Sequence, residues 1–146
     1  MRPEDRELIH EFKRLIHVLS MGKRTSIQYG NMELYRAEVH ILEIIGDAKA
    51  VTATDIARNL EVTKGAISQV IAKLFNKGLL RKERRDGNSK RQELHLTPNG
   101  KKVLAAHEER EHSLLTQVGT RLKRLRPEDV KDFSEIVKHI THFISE

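Results

Sequence analysis

Thr63-Lys64-Gly65-Ala66-Ile67-Ser68-Gln69-Val70-Ile71-Ala72-Lys73-Leu74 is the stretch whose reading decides the fold. Ile67, Val70, Ile71 and Leu74 fall at i, i+3, i+4 and i+7, which makes one apolar stripe on a helix. Thr63 stands where an N-cap belongs, and Lys77-Gly78 supplies the stop. With ~100° per residue, Gly65, Ser68, Gln69 and Ala72 turn away from the stripe, flanked by Lys64 and Lys73. That outward face is small, polar and free of acids, whereas an ordinary solvated helix face mixes Glu with Lys.

Working upstream, Glu61-Val62 is a tight connection. Before it lies a short helix over about Ala53 to Leu60, opened by Thr52 with Asp55 three residues on, an acidic form of the N-terminal capping pattern. Leu34, Val39, Ile41, Leu42, Ile44 and Ile45 mark an earlier helix that Gly46-Asp47 ends. Downstream, Leu79–Arg85 and Gln92–Thr97 are extended stretches separated by the turn-rich Asp86-Gly87-Asn88-Ser89. Helix, short helix, tight turn, helix, hairpin is the order of a winged helix-turn-helix. The expected fold is mainly α with a small two-stranded β-wing.

Both flanks are helical in pattern. Leu8, Phe12, Leu15, Ile16 and Leu19 form an amphipathic stripe near the N-terminus. Gly22 and Gly30 bracket a polar stretch readable as a break or a poorer helix. Pro98-Asn99-Gly100 opens a long helix, and Pro127 restarts the chain at a first-turn position. Val130, Phe133, Val137, Ile140 and Ile144 then form a seam too apolar for a lone helix, which points to packing against another helix, including one from a second subunit. The expected division is 1–32 for an N-terminal dimerisation helix and linker, 33–97 for the winged helix-turn-helix, and 98–146 for C-terminal dimerisation helices.

The charge is not spread evenly. Residues 63 to 91 hold nine cations against Glu83 and Asp86, a net of +7, while all 146 residues carry +6. The excess therefore falls on one helix and the hairpin after it, the parts a winged helix presents to DNA, where neutralising phosphates supplies much of the affinity. Gln69 can bond adenine twice, Ser68 can donate or accept, and Lys64 and Lys73 reach phosphates or guanine. Lys90 and Arg91, beyond the wing tip, suit a narrow A·T minor groove. The expected DNA-contacting set is Thr63, Lys64, Gly65, Ser68, Gln69, Lys73, Arg85, Lys90 and Arg91. Side chains alternate along the first wing strand, so only half of Arg81, Lys82, Arg84 and Arg85 can face DNA.

Other classes find less support. No cysteine is present, which excludes disulfides and thiolate metal sites. No apolar run approaches the ~18 residues of a membrane span, and no signal-peptide core opens the chain, so a cytoplasmic location is expected. No phosphate loop or Ser/His/Asp arrangement suggests an enzyme. A winged helix used for RNA or protein contact is the rival reading. The acid-free outward face favours the major groove of duplex DNA, since that of A-form RNA is too narrow for a helix.

Ala37–Leu42, Asp55-Ile56-Ala57, Val62–Gln69, Lys77-Gly78-Leu79-Leu80 and Leu94-His95-Leu96-Thr97-Pro98-Asn99-Gly100 together resemble the MarR family of bacterial and archaeal regulators. The resemblance implies a homodimer on palindromic duplex DNA, regulating transcription by repression under a small-molecule or metal effector, with no obligatory cofactor. The chain departs from the family at the wing, where Asn88-Ser89-Lys90-Arg91 stands in place of an Asp-Arg-Arg-like cluster. His107/Glu111 and Glu108/His112 are i, i+4 pairs, each able to place two ligands on one metal. In the family's zinc-responsive members, a histidine at the place of His40 is joined by ligands from the helix after the wing. The resemblance thus implies regulatory zinc at His40 and His107, with Glu111 or His112 as a third ligand. The alternatives are a solvated helix face around Glu108–Glu111 and a small-molecule pocket.

Overall fold

The computed structural model describes residues 1–21, 26–85 and 90–145, and the backbone alone at 19–21 and 145. The elements run α1 (Pro3–Met21), β1 (Ser26–Tyr29), β2 (Met32–Tyr35), α2 (Arg36–Asp47), α3 (Ala53–Asn59), α4 (Lys64–Asn76), β3 (Leu80–Arg84), β4 (Gln92–Leu96), α5 (Pro98–Leu122) and α6 (Pro127–Ser145). Two compact units result, Met1–Ala106 and His107–Glu146.

The first unit contains the winged helix. Leu34, Ile41, Leu42, Ile56, Leu74 and Leu79 are fully buried and bring α2, α3 and α4 onto one core, with Leu94 and Leu96 of β4 beneath. The wing is an antiparallel pair that runs from Leu80 opposite Leu96 to Arg84 opposite Gln92. The far edge of β4 is held by Leu94 N–H donating to Val51 O at 2.8 Å. The proposed division at residue 97 separates α5 from this core, yet Leu104 of α5 is buried within it. The first turns of α5 therefore belong to the winged helix.

Thr97 is the joint. Its hydroxyl donates to Gly78 O at 2.6 Å and accepts from Gly100 N–H at 3.1 Å, so one side chain ties the end of α4 to the start of α5. A Cβ on Gly100 would run into the Leu79 carbonyl oxygen. The Thr97-Pro98-Asn99-Gly100 run is thus a close-packed corner, in which only glycine lets the helix approach the chain before the wing.

One element differs from expectation. From residue 26 the polar stretch is neither a break nor a helix: residues 26–35 form a hairpin with Tyr29 opposite Met32 and Ser26 opposite Tyr35, and residues 22–25 lie outside the described ones. Gly30 has φ 61°, as the first position of a two-residue II′ loop requires. Ile27, Tyr29, Met32 and Leu34 alternate inward, so Leu34 reaches the core from β2, and α2 begins only at Arg36.

The second unit holds most of α5, with α6. Arg126 donates from Nε to Asp129 Oδ2 at 2.7 Å and from Nη2 to Asp129 Oδ1 at 2.8 Å, which fixes the first turn of α6. Leu122, Val130, Phe133 and Val137 line an open apolar groove there. Among the described residues, no helix is long and apolar enough to cross a membrane.

Candidate nucleic-acid interface

Two caps orient the helix-turn-helix. At the start of α3, Thr52 and Asp55 form a box: Thr52 N–H and hydroxyl donate to Asp55 Oδ2 at 2.9 and 2.8 Å, and Asp55 N–H donates to Thr52 Oγ1 at 3.2 Å. The Thr52 backbone bond, then its hydroxyl bond, hold the Asp55 carboxyl below the usual carboxylate range against the opposing cost of burial. Between the helices, Glu61 takes φ 53°, an unusual conformation for a side chain of its size. The Val62 N–H donates to Ala57 O at 3.1 Å and closes the turn. At the start of α4, Thr63 Oγ1 accepts from Ala66 N–H at 3.2 Å. The cap uses an oxygen lone pair, which leaves the hydroxyl proton for donation outward.

On α4, Ile67, Ile71 and Leu74 are buried and Val70 partly so, while Lys64, Gly65, Ser68, Gln69, Ala72 and Lys73 are exposed. The inward and outward faces match the helical reading of the sequence. An open groove of about 480 Å³ lies between this helix and the wing. Lys64, Ser68, Ala72 and Phe75 line one side, Lys82, Lys90, Arg91 and Gln92 the other, with the start of α3 at one end. Four cations share this concavity with Asp55, whose Oδ2 lies 3.9 Å from an Arg91 guanidinium nitrogen.

The wing register shows how the basic strand is divided. Leu80 and Lys82 stand opposite Leu96 and Leu94, so Lys82 has the parity of the core-facing leucines. Its ammonium sits 5.0 Å from the Phe75 ring centroid, which holds it beside α4. Arg81 and Arg85 have the other parity. Arg81 pairs with Glu83 at 2.9 Å, and Arg85 Nε lies 3.9 Å from the Glu93 carboxylate. Lys82, absent from the sequence-derived set, lines the groove, whereas Arg85 is turned toward an acid. The tip, Asp86 to Ser89, lies outside the described residues. Lys90 and Arg91 bound it and are exposed.

The metal-ligand set named from the sequence divides between the units. His40 is exposed on α2, with Nδ1 3.3 Å from Glu43 Oε2. His107, Glu111 and His112 lie on α5 beyond Ala106. His107 and Glu111 are one helical turn apart, as are Glu108 and His112, and Glu111 and His112 are exposed.

Residues 34–92 match the MarR family model. The chain is 30% identical over 86 residues to the uncharacterized HTH-type transcriptional regulator YhjH of Bacillus subtilis (strain 168), a match covering 58% of this chain and 49% of that protein. The match thus spans about half the length of that curated relative. Among solved structures, the zinc-responsive MarR family member ZitR of Lactococcus lactis superposes with a TM-score of 0.68 at 23% identity, over 95% of this chain and 98% of that one. FabT of Streptococcus pneumoniae, solved in complex with DNA, gives 0.67 at 18% identity, over 97% and 94%. At these identities the likeness establishes a shared fold.

Proposed function

We propose that this chain, which carries a MarR-family winged helix over residues 34–92, is a sequence-specific duplex-DNA-binding transcriptional regulator acting as a homodimer on palindromic sites. The observation that carries the reading is the groove in which the acid-free face of α4 meets Lys64, Lys82, Lys90 and Arg91. Gln69 and Ser68 would read base edges in the major groove. Thr63, Lys64, Gly65 and Lys73 would lie along the same helix against bases and backbone, and Lys90 and Arg91 would enter the minor groove at the wing. Arg85 keeps a place only on the backbone side, and Lys82 joins the set as a phosphate ligand. Such a regulator works where the DNA is, in the cytoplasm, and nothing in the site calls for catalysis.

Selection of bound sequences from random DNA duplexes, with duplex RNA as a parallel arm at the same salt, tests the reading. A palindrome is expected, and Gln69→Ala should relax the preference at one position per half-site by about 1–3 kcal/mol. Preference for the RNA duplex, or an unchanged logo in Gln69→Ala, would refute the reading or the placement of the recognition face.

Regulation by a divalent metal such as zinc, through His40, His107 and Glu111 or His112, is the proposed effector response. The one-turn spacing of His107 and Glu111 supports it, as does the zinc-responsive ZitR among the similar structures. Zinc titration followed by operator affinity checks it. His40→Ala with His107→Ala should abolish both binding and response, and an unchanged stoichiometry would make these histidines structural.

A further inference from the structure

Glu38 is the most deeply buried charged side chain among the described residues, at 2% exposure. It lies on α2, far in sequence from any cation that reaches it. Its Oε2 accepts from Tyr35 N–H at 2.8 Å, and both carboxylate oxygens accept from Lys77 Nζ, at 2.8 and 2.9 Å. The same ammonium donates to the backbone oxygen of Glu33 at 2.7 Å. Its Nζ is 6.0 Å from the Tyr35 ring centroid. Lys77 is the C-cap of α4, and Gly78 turns the chain toward the wing at φ 70°. One ammonium therefore joins the β1–β2 hairpin, the first turn of α2 and the last turn of the proposed recognition helix.

Stability alone is a weak reason to keep such a pair, because two buried apolar side chains of similar volume serve as well or better. What an apolar pair cannot supply is direction. A hydrogen-bonded ammonium with three fixed acceptors sets the position of the helix end to within a fraction of an ångström. From Lys77 to Gln69 is ~12 Å along the helix at 1.5 Å per residue, so a tilt of about 5° displaces Gln69 by ~1 Å. That is enough to break a bidentate bond to a base, while it leaves attraction to phosphates nearly untouched.

We propose that Glu38 and Lys77 are positioning residues that set the angle of α4, and hence sequence discrimination, by locking its C-terminus to the N-terminal hairpin. The proposal rests on the DNA-binding reading above. The test is the double variant Glu38→Leu with Lys77→Met, which removes one charge of each sign and leaves the net charge at +6. Lys77→Met alone should be destabilised, because it strands a buried carboxylate, and the double variant should regain the midpoint of the unaltered protein in denaturant. With folding restored, its affinity for the selected duplex relative to a scrambled one should still be at least tenfold lower, at unchanged scrambled-duplex affinity. Discrimination that returns together with stability would make the pair merely structural and overturn the proposal.

Should the double variant not fold, Glu38→Gln keeps the shape and one acceptor for Lys77. It is expected to lower discrimination severalfold without a change in scrambled-duplex affinity, and unaltered discrimination there overturns the proposal equally. Absence of any sequence preference in the unaltered protein would overturn the DNA-binding reading itself, and this proposal with it. A preference that only the variants lose supports both.

Discussion

In α4, Ile67, Ile71 and Leu74 recur at helical spacing and vanish into the core, Leu74 completely. In α6, Phe133, Ile136, Val137, Ile140 and Ile144 recur at the same spacing, and all but Ile140 are exposed, Val137 at 41% and Ile144 at 50%. Periodicity specifies a helix and the face that seeks burial, but it does not name the surface that covers that face. In α4 the cover is the chain's own α2, α3 and wing. In α6, and in α1, where Leu8, Ile9, Leu15 and Val18 are exposed, much of that face stays open to solvent among the described residues. Contiguous apolar faces of this kind mark association sites, which is the ground for the proposed homodimer.

The largest effect should come from breaking the exposed apolar face of α6. Phe133→Asp with Val137→Asp should lower the mass seen by light scattering at micromolar concentration from twice 16.9 kDa to 16.9 kDa, with the helical signal retained. Operator affinity should then fall by about two orders of magnitude or more, since two half-sites no longer bind as one unit. An unaltered protein that is already monomeric under these conditions, without DNA, removes the dimer from the proposal. Breaking the covered face has a different signature. Leu74→Ala should cost about 2–5 kcal/mol of unfolding free energy, because it opens a cavity in a closed core. A loss much below 1 kcal/mol would mean that the site collapses around the smaller side chain.

The same contrast separates what the sequence makes legible from what it does not. The helix-turn-helix is readable because each signal is local: Thr52 with Asp55, Thr63 three residues before Ala66, an apolar stripe over eight residues. The hairpin at 26–35 is harder to read, although Ile27, Tyr29, Met32 and Leu34 alternate around Gly30-Asn31. Leu34 also extends the spacing of Val39, Ile41 and Leu42, so the pattern merges β2 with the helix after it. The cation that pairs with Glu38 lies 39 residues away, and no local pattern announces it. Of the interface, the α4 face follows from helical geometry, while the division of the basic strand needed the pairing register. Leu80 has to be buried, and that already gives Lys82 the inward parity and Arg81 the outward one.

That division can be sharpened by salt dependence. Lys82→Ala should lower the slope of log affinity against log salt by about 0.9 if it meets one phosphate, and should weaken all duplexes alike. Arg85→Ala should change the slope less, because its guanidinium already faces the Glu93 carboxylate. Equal slopes for both variants would mean that the wing turns its other face to DNA.

The smallest effect concerns two carboxylates, one in each unit. Asp55 and Asp129 both sit in the first turn of a helix, and both titrate below the usual carboxylate range, for different reasons. Asp55 is held there first by the Thr52 backbone N–H and then by its hydroxyl. Asp129 is held there first by the Arg126 guanidinium, in open solvent. Both depressed values stabilise the fold fully above the ordinary carboxylate pKa, and the contribution is lost as pH falls through the folded value. Neutral donors in a capping box are insensitive to ions, whereas an exposed ion pair competes with dissolved salt, as the Debye length falls from ~10 Å at 0.1 M to ~3 Å at 1 M. Carboxyl-carbon NMR titrations at the two salt concentrations should therefore move Asp129 back toward its ordinary value and leave Asp55 nearly in place. Arg91 and Arg58 contribute least to Asp55, so only that minor part should fade. Equal salt shifts at the two sites would mean that Asp55 is held by Arg91 and Arg58 and not by its cap.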